Sequence, residues 1–428
     1  MQQTFWGLAL ATALLTGCGG AGIEVTNPDQ SANTNATLSF GEVKTSTTSL
    51  TTNYSATSKR FEYGVRAHLT DVGSVAGLTG QGTWIEVIDD FSTTHTGTIL
   101  FPAVTRLKSS TTTSSSGSST SRTLCTVNYQ WNKTWTHGDL VASIAGGTLA
   151  AQSLSIPLSV STLLPSTTCA SSFYQGSSDL ALAAQLDVEA IPSVAPLASV
   201  YKSPVILGAT ASVPDQWATI IGHLRNGGTS SVVDVINMSL GSDITSKTTQ
   251  AELTAYLAQT PIGKTINAVI AVAAGNSGLA CGQTDLNGCN AVATLLALHQ
   301  DTQYSTLVVG ALTGTGKAQT MADYSTRPGL LMQRFIWASG DTGFYGDTNA
   351  GQVQGTSFAA PRVAGVAALL KQKYPTLTSA QISDLILQSA DRDMNNDGVP
   401  DFTGYDPLFG NGKLSLSNAL KLAAQLYP

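Results

Sequence analysis

The sequence predicts an α/β fold, a mostly parallel central sheet covered by helices on both faces. Three observations carry this. From about residue 78 onward, apolar strand-like runs alternate with helical runs, the pattern of a parallel sheet built from β–α units. Val87 and Ile88 read as a buried strand with Asp89 at its C-terminal end, where open α/β sheets place their sites. Ala359, Ala360, Ala364 and Gly365 give a small-residue helix able to pack closely inside such a protein. The first strand is predicted over 83–88 and the first helix over 137–145, where Leu140, Val141, Ile144 and Ala145 recur at helical spacing. Further strands are predicted over 199–207, 232–239, 268–273, 306–310 and 335–338. Helices are predicted over 214–225, 247–258, 357–373, 379–389 and 415–426, the last two with serine or threonine starts and periodic leucines. The serine and threonine run 109–121 reads as a mobile surface loop. A segment of about 40 residues before Val194, containing Pro165 and Cys169, reads as an added capping or functional element.

At the N-terminus, Phe5 to Leu15 form an apolar stretch too short to span a membrane as a helix. It runs into Leu15-Thr16-Gly17-Cys18, which resembles a bacterial lipobox, although no Lys or Arg precedes it. The expected organisation is a signal peptide at 1–17, a lipidated N-terminus and tether at 18–60, and a folded domain at 61–428. The tether is rich in Thr, Ser and Asn and cannot bury a core. This reading places the protein at the bacterial cell envelope, exported and held to the membrane by lipid on Cys18. Removing Cys18 leaves Cys125, Cys169, Cys281 and Cys289, an even number suited to an oxidising compartment. Three connectivities are open. The favoured one joins Cys281 to Cys289 and Cys125 to Cys169. Charged residues make up 11% of the chain and the net charge is −6, which argues against nucleic-acid binding. No Cys/His spacing suggests zinc.

The chemistry lies in four short runs. Gly355-Thr356-Ser357-Phe358-Ala359-Ala360-Pro361-Arg362-Val363 places a serine hydroxyl at a helix N-terminus, where unpaired N–H groups and the helix dipole favour negative charge. Pro361 is expected in the first turn, where its missing N–H is harmless. A serine is a poor nucleophile until a histidine takes its proton and a carboxylate orients that histidine. Of the five histidines, His68, His95, His223 and His299 have unremarkable surroundings, while His137 lies in Thr136-His137-Gly138-Asp139-Leu140-Val141. The carboxylate comes from Trp84-Ile85-Glu86-Val87-Ile88-Asp89-Asp90-Phe91, with Asp90 the rival to Asp89. Ala273-Ala274-Gly275-Asn276 reads as a strand followed by a turn.

Together these runs resemble the aspartate, histidine, asparagine and serine blocks of the subtilisin-like serine proteases, in that family's order Asp, His, Ser. Three positions depart from the usual pattern: Phe91 replaces a glycine, Asp139 a threonine and Arg362 a histidine. The serine run is not the Gly-x-Ser-x-Gly elbow of α/β-hydrolases, because Ala359 stands where the second glycine belongs. The resemblance covers roughly 61–428 and implies a subtilisin-like three-layer α/β/α domain. It makes Ser357 the nucleophile, His137 the base, Asp89 the group that orients it and Asn276 the oxyanion donor. It makes Ser239, Leu240 and Gly241 the strand that pairs with substrate backbone, with Ala274 and Gly275 as the opposite wall of the P1 side-chain pocket. Polypeptide substrates bound by strand addition follow. A monomer needing no cofactor is expected. Asp393, Asn395, Asp397 and Asp401, with Gly398 sixth in the run, are similar to the first half of a calcium loop, but Gly404 occupies the twelfth position. The rival readings are a catalytically silent binding module and an esterase using the same triad.

Overall fold

The computed structural model describes, with side chains, residues 77–92, 136–146, 193–207, 211–226, 233–245, 248–263, 266–282, 285–314, 319–341 and 354–428, and the backbone alone of further strand segments. The first buried strand, β1 (Trp84–Asp89), has Asp89 as its last residue. Next come β2 (Thr94–Leu100), β3 (Val104–Ser114), β4 (Gly117–Val127) and β5 (Gln130–Thr136). Here the prediction of a loop over 109–121 is corrected. β3 and β4 pair antiparallel from Val104↔Val127 to Ser114↔Gly117, and β2 pairs with β5. The run is polar, but its β-branched threonines favour extended backbone, so polarity alone misled the reading.

From there the chain alternates as expected: α1 (His137–Ala145), β6 (Ser199–Pro204), α2 (Val213–Asn226), β7 (Val235–Met238), α3 (Gln250–Gln259) and β8 (Val269–Ala273). It continues through α4 (Ala291–Leu298), β9 (Thr306–Thr313), β10 (Thr320–Met321) and β11 (Phe335–Ser339). It closes with α5 (Thr356–Lys373), α6 (Ser379–Gln388) and α7 (Leu416–Leu426). α3 starts at Gln250 rather than 247 because Thr249 caps it, its hydroxyl accepting from Glu252 N while the Glu252 carboxylate accepts from Thr249 N. β6 ends at Pro204, short of the predicted 207. α4 was not foreseen. Nearly all of it is buried, so it shows no polar face and no amphipathic period; its one local signal is Asn290, whose side chain caps Val292 N and Ala293 N.

The seven-stranded sheet runs β6-β1-β7-β8-β9-β10, with β11 also paired to β9, and every pairing is parallel except β9–β10. The chain passes from β1 to β6 on one side and then to β7 on the other. The order therefore reverses at β1, and Asp89 sits at the mouth of the crevice this creates. Alternate residues feed two cores. Ile85, Val87, Val269 and Ala271 pack with α1, α5, α6 and α7, while Ile88, Ile236, Ile270 and Val272 pack with α2, α3 and α4.

α5 is buried almost throughout, including Arg362, which stands where the family often has histidine. Its guanidinium donates to Ser339 O at 2.5 Å, Phe358 O at 2.6 Å and Asp341 O at 2.6 Å, tying α5 to the end of β11. Replacement by methionine keeps the bulk but leaves those carbonyls without their donor. Arg362→Met is expected to lose at least ~3 kcal/mol in urea unfolding; a loss under ~1 kcal/mol would contradict this role.

Candidate active site

Asp89 is 1% exposed, and its Oδ1 accepts from Asp90 N at 2.7 Å and meets His137 Nδ1 at 2.6 Å. The backbone fixes both partners. His137 is the first residue of α1, held by a capping box in which Thr136 Oγ1 accepts from Asp139 N and Asp139 Oδ2 accepts from Thr136 N. Gly138 N donates to Asp90 O at 3.1 Å, joining the helix start to the end of β1. Burial pushes the Asp89 carboxyl upward while the imidazole beside it pulls the other way. Burial depresses His137, but the facing carboxylate outweighs it, and the imidazole lies above its usual range. The remaining ring nitrogen, Nε2, is buried with no hydrogen-bond partner among the described residues. The imidazole lies 5.6 Å, centroid to centroid, from the ring of Phe358, the residue after Ser357.

Ser357 is the second residue of α5, fully buried. The helix starts at Thr356, so Pro361 lies in the second turn, not the first as the sequence suggested. Its missing N–H would have bonded the carbonyl of Ser357 four residues back. Ser239 Oγ occupies that carbonyl instead, at 2.9 Å, and itself accepts from Asn237 Nδ2 at 3.0 Å. Ser239 thus braces the start of α5 with its side chain. Asn276 Oδ1 accepts from both Thr356 N and Thr356 Oγ1 at 3.0 Å. That fixes the amide with its donor end, Nδ2, turned away from Thr356. Gly275 N donates to Thr356 Oγ1 at 3.2 Å. Leu240, Gly241, Ala274 and Gly275 are buried around this corner.

Two of the departures from the family pattern meet through a residue sequence reading missed. Lys202, on β6 beside β1, pairs with Asp139 Oδ1 at 2.7 Å and lies over the Phe91 ring, 5.9 Å from its centroid. The same ring packs on Gly138, where a Cβ would come within 2.6 Å of it. Burial raises Asp139, but the hydrogen bonds from Lys202 and Thr136 dominate and hold it below the usual carboxylate range. No local signal marks Lys202, because the contact depends on β6 lying against β1. Thr356 and Asn237 were also missed as supports.

The other candidates fall elsewhere. Cys281 and Cys289 are joined by a disulfide. Cys18 and Cys169 lie outside the described residues, as does the side chain of Cys125, and so do the expected signal peptide, most of the expected tether and His68. His223 Nε2 lies 3.3 Å from the buried Glu86, and His299 is fully buried with Nε2 at 3.1 Å from Thr260 O. In the 393–401 loop the acidic oxygens turn onto the loop's own amides. Asp393 Oδ2 accepts from Gly398 N at 2.8 Å, Asp397 Oδ1 from Val399 N at 2.8 Å, and Asp401 Oδ2 from Met394 N at 2.6 Å; Asn395 Oδ1 accepts from Asp397 N at 3.0 Å. Among the described residues no three His, Cys, Asp or Glu side chains group to hold a metal, and no helix is long and apolar enough to cross a membrane.

A mostly parallel sheet with an aspartate–histidine pair at its switch point and a serine at a buried helix start characterises this α/β protein. The chain belongs to the subtilase family, whose sequence profile matches residues 21–412. It is 33% identical over 205 residues to subtilisin NAT of Bacillus subtilis subsp. natto, covering 46% of this chain and 45% of that protein. It is 30% identical over 222 residues to mycosin-1 of Mycobacterium tuberculosis, covering 46% of this chain and 49% of that protein. The chain thus spans about half the length of these curated relatives. Among solved structures, a cold-adapted subtilisin-like serine proteinase aligns with 80% of this chain and 90% of its own, at 17% identity and a TM-score of 0.39.

Proposed function

We propose that this protein is a serine endopeptidase. Ser357 Oγ attacks the peptide carbonyl carbon and passes its proton to His137 Nε2, while Asp89 holds the ring and stabilises the imidazolium. Asn276 Nδ2 and the backbone N–H of Ser357 receive the tetrahedral oxyanion. Collapse expels the amine, which takes the proton from His137, and water then releases the acyl group by the same steps in reverse. The observation that carries the reading is the 2.6 Å contact from Asp89 to His137, with the imidazole against Phe358 at the start of the nucleophile helix. The test is hydrolysis by the purified chain of an unfolded protein and of a simple activated ester. Cleavage of both supports a peptidase. Ester turnover alone favours the esterase reading, and turnover of neither favours a silent binding module.

The base works only when neutral. The Asp89 carboxylate raises the His137 pKa, so protonation silences the site at a higher pH than for an ordinary histidine. The acid limb of kcat/KM is therefore expected above pH 6.5, the usual histidine value. A limb clearly below that value contradicts the pairing.

Export and lipid attachment through Cys18 complete the proposal, supported by the leader and by the cysteine at the end of the lipobox-like run. Cys18→Ala is expected to move the protein from the membrane pellet to the soluble fraction. Continued membrane association of that variant would remove the lipid anchor.

A further inference from the structure

His137 is the first residue of α1, so the first turn of that helix sets where its ring points. The contact with Asp89 holds one ring nitrogen, and a single hydrogen bond leaves the ring able to swing about it. A second restraint has to come from the turn itself, and Asp139 supplies it with two partners. Its Oδ2 accepts from Thr136 N at 3.1 Å, closing the capping box, while its Oδ1 accepts from Lys202 Nζ at 2.7 Å. Lys202 stands on β6 in register with Val87, whose side chain packs in the core with α1. Its own side chain therefore leaves the sheet on that same side. The ammonium also lies 5.9 Å from the centroid of the Phe91 ring, within cation–π range. That ring covers Gly138, where a Cβ would come within 2.6 Å of it. Lys202 thus bears on both residues that follow the histidine, on Asp139 directly and on Gly138 through Phe91. Gly138 N in turn donates to Asp90 O at 3.1 Å, which ties the turn to the end of β1. Phe91 and Asp139 are both departures from the family pattern, and Lys202 meets both.

We propose that Lys202 is a positioning residue for the base: through Asp139 and Phe91 it holds the first turn of α1, and with it the aim of His137 Nε2. The inference rests on the serine-peptidase reading and adds a residue to its machinery. A displacement of about 1 Å at a reacting group costs on the order of 10²-fold in rate, so a restraint on this turn is worth more in turnover than in folding. The side chains of Lys202 and Asp139 are 32% and 30% exposed, and an ion pair so placed contributes little to stability. The charges that bear on the titration of His137 are Asp89 and Asp90, and Lys202 is not among them. Its action is therefore geometric rather than electrostatic.

The experiment measures kcat, KM, the acid limb and the urea midpoint for Lys202→Met, Lys202→Arg, Asp139→Asn and the double variant of Lys202→Met with Asp139→Asn. Lys202→Met is expected to lower kcat about tenfold while KM, the acid limb and the urea midpoint stay near wild type. Lys202→Arg is expected to recover most of that loss, since a guanidinium can donate to Asp139 and stack on Phe91. The double variant should be no slower than Asp139→Asn alone, because the lysine acts through that carboxylate. An unchanged kcat in Lys202→Met overturns the proposal, as does a loss that Lys202→Arg does not recover. A loss confined to KM also overturns it, by making Lys202 a substrate contact, and a shifted acid limb does so by making the effect electrostatic. If Lys202→Met does not fold, Asp139→Asn decides, with the same loss in kcat expected. A reading independent of turnover is the low-field proton NMR signal of His137 Nδ1–H against Asp89. It is expected to broaden in Lys202→Met and to sharpen again in Lys202→Arg. A wild type that takes no fluorophosphonate label and cleaves nothing fails at the earlier step, the peptidase reading. In that case the proton signal alone judges Lys202, and a signal unchanged in Lys202→Met overturns its hold on the ring.

Discussion

Substituting Ser357 by alanine is expected to lower kcat for peptide hydrolysis by about 10⁶, a magnitude taken from subtilisin itself. The substitution removes only the hydroxyl, at a fully buried position on a helix of small residues. Alanine suits the helix and leaves intact the bracing bond from Ser239 Oγ to the backbone carbonyl at 357. Folding and substrate binding should survive, and the loss should fall on kcat. His137→Ala is expected to lose a comparable amount. The double variant should be little worse than either single one, because nucleophile and base act as a unit. Residual turnover above the uncatalysed rate would come from the oxyanion donors. Losses that simply multiplied would show that Ser357 and His137 do not share a step.

Asp89→Asn is expected to lower kcat by about 10⁴. The shape is kept, so the argument is electrical and tautomeric. Asp89 Oδ1 accepts from Asp90 N and faces His137 Nδ1, and this holds the imidazole with its proton on Nδ1 and Nε2 open to receive another. An amide brings a donor into the same buried slot. Turned toward His137, it favours the tautomer with the proton on Nε2, which cannot take one from Ser357. The negative charge that raises His137 is lost as well, so the acid limb of the residual activity should move to lower pH. A variant with the wild-type limb and a loss of less than tenfold would show that Asp89 does not serve the base.

The parts of the fold legible in the sequence are those whose signal is local. β1 announces itself through Ile85, Val87 and Ile88, with Asp89 at the end, and α1 through its apolar period after Thr136. The four candidate residues stand in short runs whose residue types are constrained by turns, caps and helix starts, so a single sequence singles them out as candidates. What was hidden depends on contacts between distant segments or on the loss of contrast. α4 is so fully buried that it has no polar face to reveal a helical period. The 109–121 hairpin looked like a loop because serine and threonine are polar, although threonine also suits a strand. Pro361 lies one turn later than its sequence context suggests, which explains why Ser239 bonds the Ser357 carbonyl. Lys202 joins Phe91 and Asp139 only because β6 pairs with β1. The departures from the family pattern were legible as departures; that two of them meet at Lys202 was not.

The central claim is that Ser357 is a nucleophile activated by His137 and Asp89. The most direct test is a fluorophosphonate probe on the purified folded chain, followed by peptide mapping. A single adduct on Ser357 is predicted, lost in Ser357→Ala and strongly slowed in His137→Ala. No adduct on folded wild-type protein, or an adduct that survives in Ser357→Ala, would contradict it.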